Sequence, residues 1–283
     1  MKSRIWIGIS LLLLFVLSLP ALVFSNNSLP YSSNWKLVDN TIRDEVFNTK
    51  NNHNEDGVVT QINHFDELKR TDEMYGPPNH DVVVIDPGHG GEDFGFMVDG
   101  KVEKQITLAI AQATTKALEK KGFTVYLTRE GDRYLNTEER ARFANQKQPI
   151  AFLSFHLNYF LNPNVHGLEV LVGLPCPESI LKNPLLTAFY LGSRILSLSL
   201  SNRLSKNITA RTGQENRGVI EADIDLIHAI FYPSCCIYLG FLSNPKERSL
   251  FMSTEYQQQL TDGIVETILE YLASHEVKHF LGE

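Results

Sequence analysis

Residues 81–91 read Asp81-Val82-Val83-Val84-Ile85-Asp86-Pro87-Gly88-His89-Gly90-Gly91, and this stretch decides the fold. Its four β-branched residues form an unbroken apolar run, the pattern of a strand buried on both faces. A glycine-rich turn follows at once. From Glu103 to Lys121, residues Ile106, Ile110, Ala113, Ala117 and Leu118 recur at helical spacing, and Gly122 closes the helix. Strand, tight turn and helix in that order open a unit whose strands run parallel.

The same texture continues outward. Phe123–Thr128, Ile150–Phe155, Leu168–Val172 and Cys235–Leu239 read as strands. Thr137 is expected to cap a helix through Arg140 and Phe143, while Leu185–Leu204 and Glu255–Ala273 read as helices. The expectation is a single α/β domain over residues 81–283, with a largely parallel, mixed sheet flanked by helices.

The chain has 283 residues, 43% of them hydrophobic and 21% charged, which excludes collagen-like and disordered classes. A net charge of −7 without any run of Lys or Arg argues against a nucleic-acid partner. Lys2 and Arg4 precede an uncharged apolar stretch from Ile5 to Phe24. Residues 1–25 therefore read as a signal peptide cleaved after Ser25, or as an anchor that crosses the membrane through residues 5–24. Either places the remainder in the periplasm or the extracellular envelope. Residues 26–80 are Asn-rich, with weak strand signal at Val58 to Ile62 and a Gly76-Pro77-Pro78 break. They read as a linker or small N-terminal extension. Among the cysteines, Cys176 sits between two prolines in a loop. Adjacent Cys235 and Cys236 read as small core residues on opposite faces of a strand.

In an open α/β sheet, ligands bind beyond the carboxyl ends of the strands. His89 follows the first strand, His156 ends the strand from Ile150 to Phe155, and Glu103 starts the first helix. Two imidazoles and a carboxylate, with a fourth position left to water, form the ligand set of a hydrolytic zinc centre. Spacing alone equally fits two ordinary polar residues at strand ends. Asp86 is placed to orient a ligand imidazole from behind, and Glu92 and Asp93 to touch the outside of the site.

The runs VVVIDPGHGGEDFG, VEKQITLAIA, LTREGDRYLN, ERARFAN, LSFHLN and LGFLSNP occur in that order. Together they resemble the zinc-dependent N-acetylmuramoyl-L-alanine amidases of the Amidase_3 type. The resemblance implies zinc on His89, Glu103 and His156, and peptidoglycan as substrate. The bond cut would be the amide joining the lactyl group of muramic acid to L-alanine. It also brings Asn158 and Arg217 toward the substrate, Arg217 facing a stem-peptide carboxylate. Arg129, Asp132 and Arg140 match the family pattern, and an internal ion pair suits them as well as a substrate contact.

One position departs from that pattern. The family carries a catalytic glutamate in a final strand of the form E-x-G-F-x-S-N, and here Tyr238 stands in its place. A phenol with pKa about 10 does not accept a proton at neutral pH, although it can donate to an oxyanion. A weakened amidase follows, or, as the alternative, a zinc-retaining pseudoamidase that binds peptidoglycan or a partner protein. Glu221 and Glu169 are the carboxylates that could replace the missing group, if either reaches the metal. The C-terminal His275-Glu276-Val277-Lys278-His279 matches H-E-x-x-H, but it equally suits the end of the last helix, where His and Lys favour the dipole.

Overall fold

The computed structural model describes residues 78–174 and 184–281, so the expected signal peptide or anchor, the Val58 to Ile62 strand signal and Cys176 lie outside the described residues. A six-stranded sheet is built from β1 (Asn79–Pro87), β4 (Thr124–Leu127), β5 (Pro149–Asn158), β6 (Leu168–Gly173), β7 (Asn216–Ala222) and β8 (Ser234–Phe241). A short hairpin, β2 (Met97–Val98) with β3 (Lys101–Val102), lies between β1 and the first helix. The sheet order is β4-β1-β5-β8-β6-β7. Pairs β1–β4, β1–β5, β5–β8 and β6–β7 are parallel, and β6–β8 is antiparallel. The expected single α/β domain with a largely parallel, mixed sheet is what forms.

Three long helices cover one face: α1 (Glu103–Glu119), α3 (Pro184–Thr212) and α6 (Thr254–Leu272). Their apolar stripes meet alternate strand residues, among them Ile85, Leu153, Phe155, Val170, Val172, Cys235 and Ile237, all fully buried. Each such side chain contributes about 1.5–3 kcal/mol by leaving water. The opposite face carries α2 (Thr137–Lys147) and the single turn α4 (Asp225–His228). Two further helices, α5 (Pro245–Leu250) and α7 (His275–Leu281), complete the fold.

Local signals locate the elements well and their ends less well. Asn136, rather than Thr137, caps α2, through a reciprocal capping box with Glu139. Helix α3 runs eight residues past Leu204, to Thr212, because Ile208 continues its buried stripe. Cys235 and Cys236 are buried and unbridged, as core residues should be, and burial pushes the Cys235 thiol up to about 12.

Candidate metal centre

His89 and His156 gather at the carboxyl ends of β1 and β5, with Tyr238 of β8 beside them. The chain leaves β1 through His89, whose φ of 62° is unusual for a residue with a side chain. That conformation is held from several sides. Arg140 donates to the carbonyls of His89 (2.8 Å) and Pro87 (3.1 Å), and Arg129 donates to those of Pro87 (2.9 Å) and Gly88 (2.8 Å). Lys104 Nζ reaches the Gly91 carbonyl at 2.6 Å and Asp132 at 2.8 Å, while Asp132 accepts from the Gly91 amide at 2.7 Å. Arg129, Arg140 and Asp132 thus pin the glycine loop. Burial and the neighbouring Arg140 bring the Arg129 guanidinium down to about 10.

The loop delivers His89 to Glu103, the first residue of α1. His89 Nε2 and His156 Nδ1 each stand 3.1 Å from the same Glu103 oxygen. The backbone amides of Leu157 and Phe96 donate to the two carboxylate oxygens, each at 2.9 Å. The two imidazole rings meet edge to face with centroids 4.9 Å apart. Burial alone would raise the Glu103 carboxyl, but His156 and His89 outweigh it and hold the group far below the carboxylate range. Burial likewise opposes charge on His89, and Glu103 with Asp93 carries its pKa above the usual value. One ligand atom from each of His89, Glu103 and His156 lies within 4.8 Å of the others. Two nitrogens and a carboxylate oxygen converging on one point, around a buried carboxylate that has no Lys or Arg partner among the described residues, suit a divalent ion such as Zn²⁺.

Asp86 does not orient either imidazole, contrary to the reading from sequence. Its buried carboxylate accepts from Thr128 (2.5 Å), Arg140 (2.6 Å) and Ser154 (2.7 Å) beneath the loop. The imidazole partner is Asp93, 2.8 Å from His89 Nδ1, which leaves Nε2 free for a metal.

Strand register arranges the remaining candidates. Tyr238 pairs with His156 on one side and with Glu169 on the other, and laterally paired residues share a face of the sheet. The row therefore runs His156, Tyr238, Glu169. The Tyr238 ring lies 5.7 Å from that of His156. Cys236, burial, and the carboxylates of Glu103 and Glu169 push its phenol far above the usual value. Glu169 faces the site, but both its oxygens are engaged, one by Arg217 at 2.5 Å and one by Asn158 at 3.0 Å. Asn158, expected at the substrate, donates its amide group to Glu169 and accepts from the Tyr159 amide through its oxygen. Glu221 pairs with core residue Val172, so it points to the opposite face, where it meets Arg194 at 2.9 Å. It does not reach the row, and its expected rescue role falls. The His275-to-His279 motif forms α7, with Val277 buried in the core.

Residues 83–270 match the family described as N-acetylmuramoyl-L-alanine amidase, Amidase_3. The chain belongs to that family. The amidase is 33% identical over 191 residues to the uncharacterized protein YqiI of Bacillus subtilis, covering 67% of this chain and 84% of the relative. It is 25% identical over 240 residues to the N-acetylmuramoyl-L-alanine amidase AmiA of Escherichia coli, covering 73% and 83%. Its fold is similar to that of an N-acetylmuramoyl-L-alanine amidase from Clostridium difficile, with a TM-score of 0.59 and 29% identity, covering 69% of this chain and 97% of that one. The amidase is accordingly a hydrolase of the cell-wall class. Among its described residues no helix is long and apolar enough to cross a membrane.

Proposed function

We propose that the amidase hydrolyses the bond between N-acetylmuramic acid and L-alanine in peptidoglycan, with zinc held by His89, Glu103 and His156, and that Tyr238 limits its rate. The convergence of those three ligand atoms carries the reading. Zinc, when bound, supplies a Lewis acid to the carbonyl and makes water acidic near neutral pH. The chain's own residues do the rest. Asp93 fixes the tautomer of His89, and the Leu157 and Phe96 amides fix the Glu103 carboxylate.

Proton transfer is where this chain differs. The raised Tyr238 phenol keeps its proton at neutral pH, so it donates to a developing oxyanion and accepts nothing from water. Glu169 is committed to Arg217 and Asn158, and Glu221 faces away. Without a positioned base, the rate falls by roughly 10²–10⁴, about 3–5 kcal/mol of barrier. An exported location, provided by residues 1–25, puts the enzyme beside its polymer.

Dye release from labelled sacculi tests this directly. A Tyr238→Glu variant is expected to release dye about 10²–10⁴ times faster than the native protein. Equal rates would refute the role given to the tyrosine. Release by the variant alone would make the native protein a binder of peptidoglycan.

A further inference from the structure

We propose that Tyr159, backed by Phe96, is a stacking seat for the sugar ring of the substrate, the N-acetylmuramic acid half of the cut amide; the proposal rests on the amidase reading. Two short segments near the metal ligands expose large apolar side chains. Phe94 and Met97 are exposed in the first, and Tyr159, Phe160 and Leu161 in the second. The rings of Phe96 and Tyr159 stack with centroids 5.2 Å apart and planes 22° from parallel, which joins the two segments into one patch. Apolar groups gathered on a surface in this way mark a place where a ligand or partner rests.

Both segments are built onto the metal centre. Gly95, with φ of +63°, lies between Phe94 and Phe96, and a Cβ there would stand 2.6 Å from both Glu103 Oε2 and His89 Cδ2. Glycine is what lets the first segment pass so close to the ligands. The Phe96 carbonyl accepts from the Glu103 amide at 2.9 Å, and the far end of the hairpin is tied down by Arg248, which donates to Asp99 at 2.6 Å. Tyr159 follows β5 directly and comes three residues after His156, so at most about 10–11 Å of chain separates them. Its loop is held as well: the Leu242 amide donates to the Asn158 carbonyl at 2.8 Å, and the Phe160 amide to Ser243 Oγ at 3.0 Å. One face of the Tyr159 ring rests on Phe96 and the residue is 39% exposed, so the other face is presented to a ligand with little left to order on binding.

The reaction selects the occupant. Only the lactyl carbon and an ether oxygen separate the carbonyl of the cut amide from the sugar ring. With that carbonyl at the metal, the ring comes to rest beside the metal ligands, within reach of the patch. A pyranose shows C–H bonds on its faces and hydroxyls around its rim. Its faintly positive hydrogens suit the negative face of an aromatic ring, while the hydroxyls stay in water. Continuity with the metal ligands favours this occupant over a lipid surface or a second copy, neither of which needs the catalytic edge of the sheet. Tyr159 thus meets the sugar, and Phe96 acts as its positioning residue.

Calorimetric binding of two probes to the full chain tests this: an N-acetylmuramoyl dipeptide, and the lactoyl dipeptide that carries the same amide without the sugar. The native protein is expected to prefer the sugar-bearing probe by about 10-fold. Tyr159→Ala should abolish the preference by weakening that probe alone, with bound metal unchanged. Tyr159→Phe should keep the preference, because the ring and not the hydroxyl carries it, and Phe96→Leu should reduce it. Equal binding of the two probes by the native protein would overturn the seat while leaving the amidase reading intact. So would a Tyr159→Phe variant that loses as much as Tyr159→Ala. Binding to phospholipid vesicles, or a dimer in sedimentation, that Tyr159→Ala removes while the probe preference persists would assign the patch to a lipid or to a second copy and overturn the proposal. Failure of the native protein to bind or cleave either probe would remove the seat and the amidase reading together. The comparison of probes needs no variant, so folding defects cannot obscure it.

Discussion

Replacing Asp86 by alanine removes the carboxylate on which Arg140 depends. Both groups are buried, and Arg140 would be left with only the carbonyls of Leu135, Pro87 and His89. Stranding a buried charge in this way costs about 3–5 kcal/mol, a large part of the roughly 5–15 kcal/mol that holds a domain together. With a urea m-value of about 2 kcal/mol/M, the unfolding midpoint falls by about 1.5–2.5 M. The pH dependence has a definite sign. Burial would raise the Asp86 pKa, but Arg140, Thr128 and Ser154 outweigh it and leave the folded value below the unfolded one. The carboxylate's contribution is therefore present above the unfolded pKa of about 3.9 and lost as pH falls through the folded value. The stability gap between native protein and Asp86→Asn should be full at pH 7 and close below about pH 4. Because Arg140 also holds the His89 carbonyl, metal affinity should drop about 10–100-fold in the same variant. A loss under about 1 kcal/mol, or a gap that persists unchanged to pH 3, would refute the reasoning.

Two other substitutions probe the supports of the site. Glu247→Ala leaves the Gly167 and Phe241 amides without their acceptor in a buried place, and should cost about 2–6 kcal/mol in a urea titration. Asp93→Asn removes the charged partner of His89 Nδ1, and should weaken zinc binding about 10-fold or more when measured against a chromophoric chelator, with little change in unfolding.

Much of this was legible in local sequence. The run Val82 to Ile85, the helical stripe after Glu103 and the strand before His156 carry strong periodicity, and each became the expected element. His89, Glu103 and His156 stand at strand ends and a helix start, which meet at one edge of a parallel sheet, but spacing left them open and the resemblance of the surrounding motifs is what singled them out. What local pattern does not carry is register. Asp86 precedes His89 closely, yet its strand position turns it beneath the loop toward Arg140, Thr128 and Ser154. Glu221 and Glu169 look alike as letters, but pairing with Val172 and Tyr238 sends them to opposite faces. Strand β7 lacks an apolar run, since Asn216-Arg217-Gly218-Val219-Ile220-Glu221-Ala222 is an edge strand with no fully buried residue. Glu247 carries no signal in the sequence, because a glutamate in the first turn of a short helix is ordinary. Only the approach of Gly167 and Phe241 makes it a buried acceptor.

The most direct measurement is the metal content of the purified protein by elemental analysis, for the native chain and for His89→Ala, His156→Ala and the pair His275→Ala/His279→Ala. The account predicts one zinc per chain in the native protein and in the C-terminal pair, and almost none in the other two. Zinc retained by His89→Ala and His156→Ala, or lost when the C-terminal histidines are replaced, would contradict it.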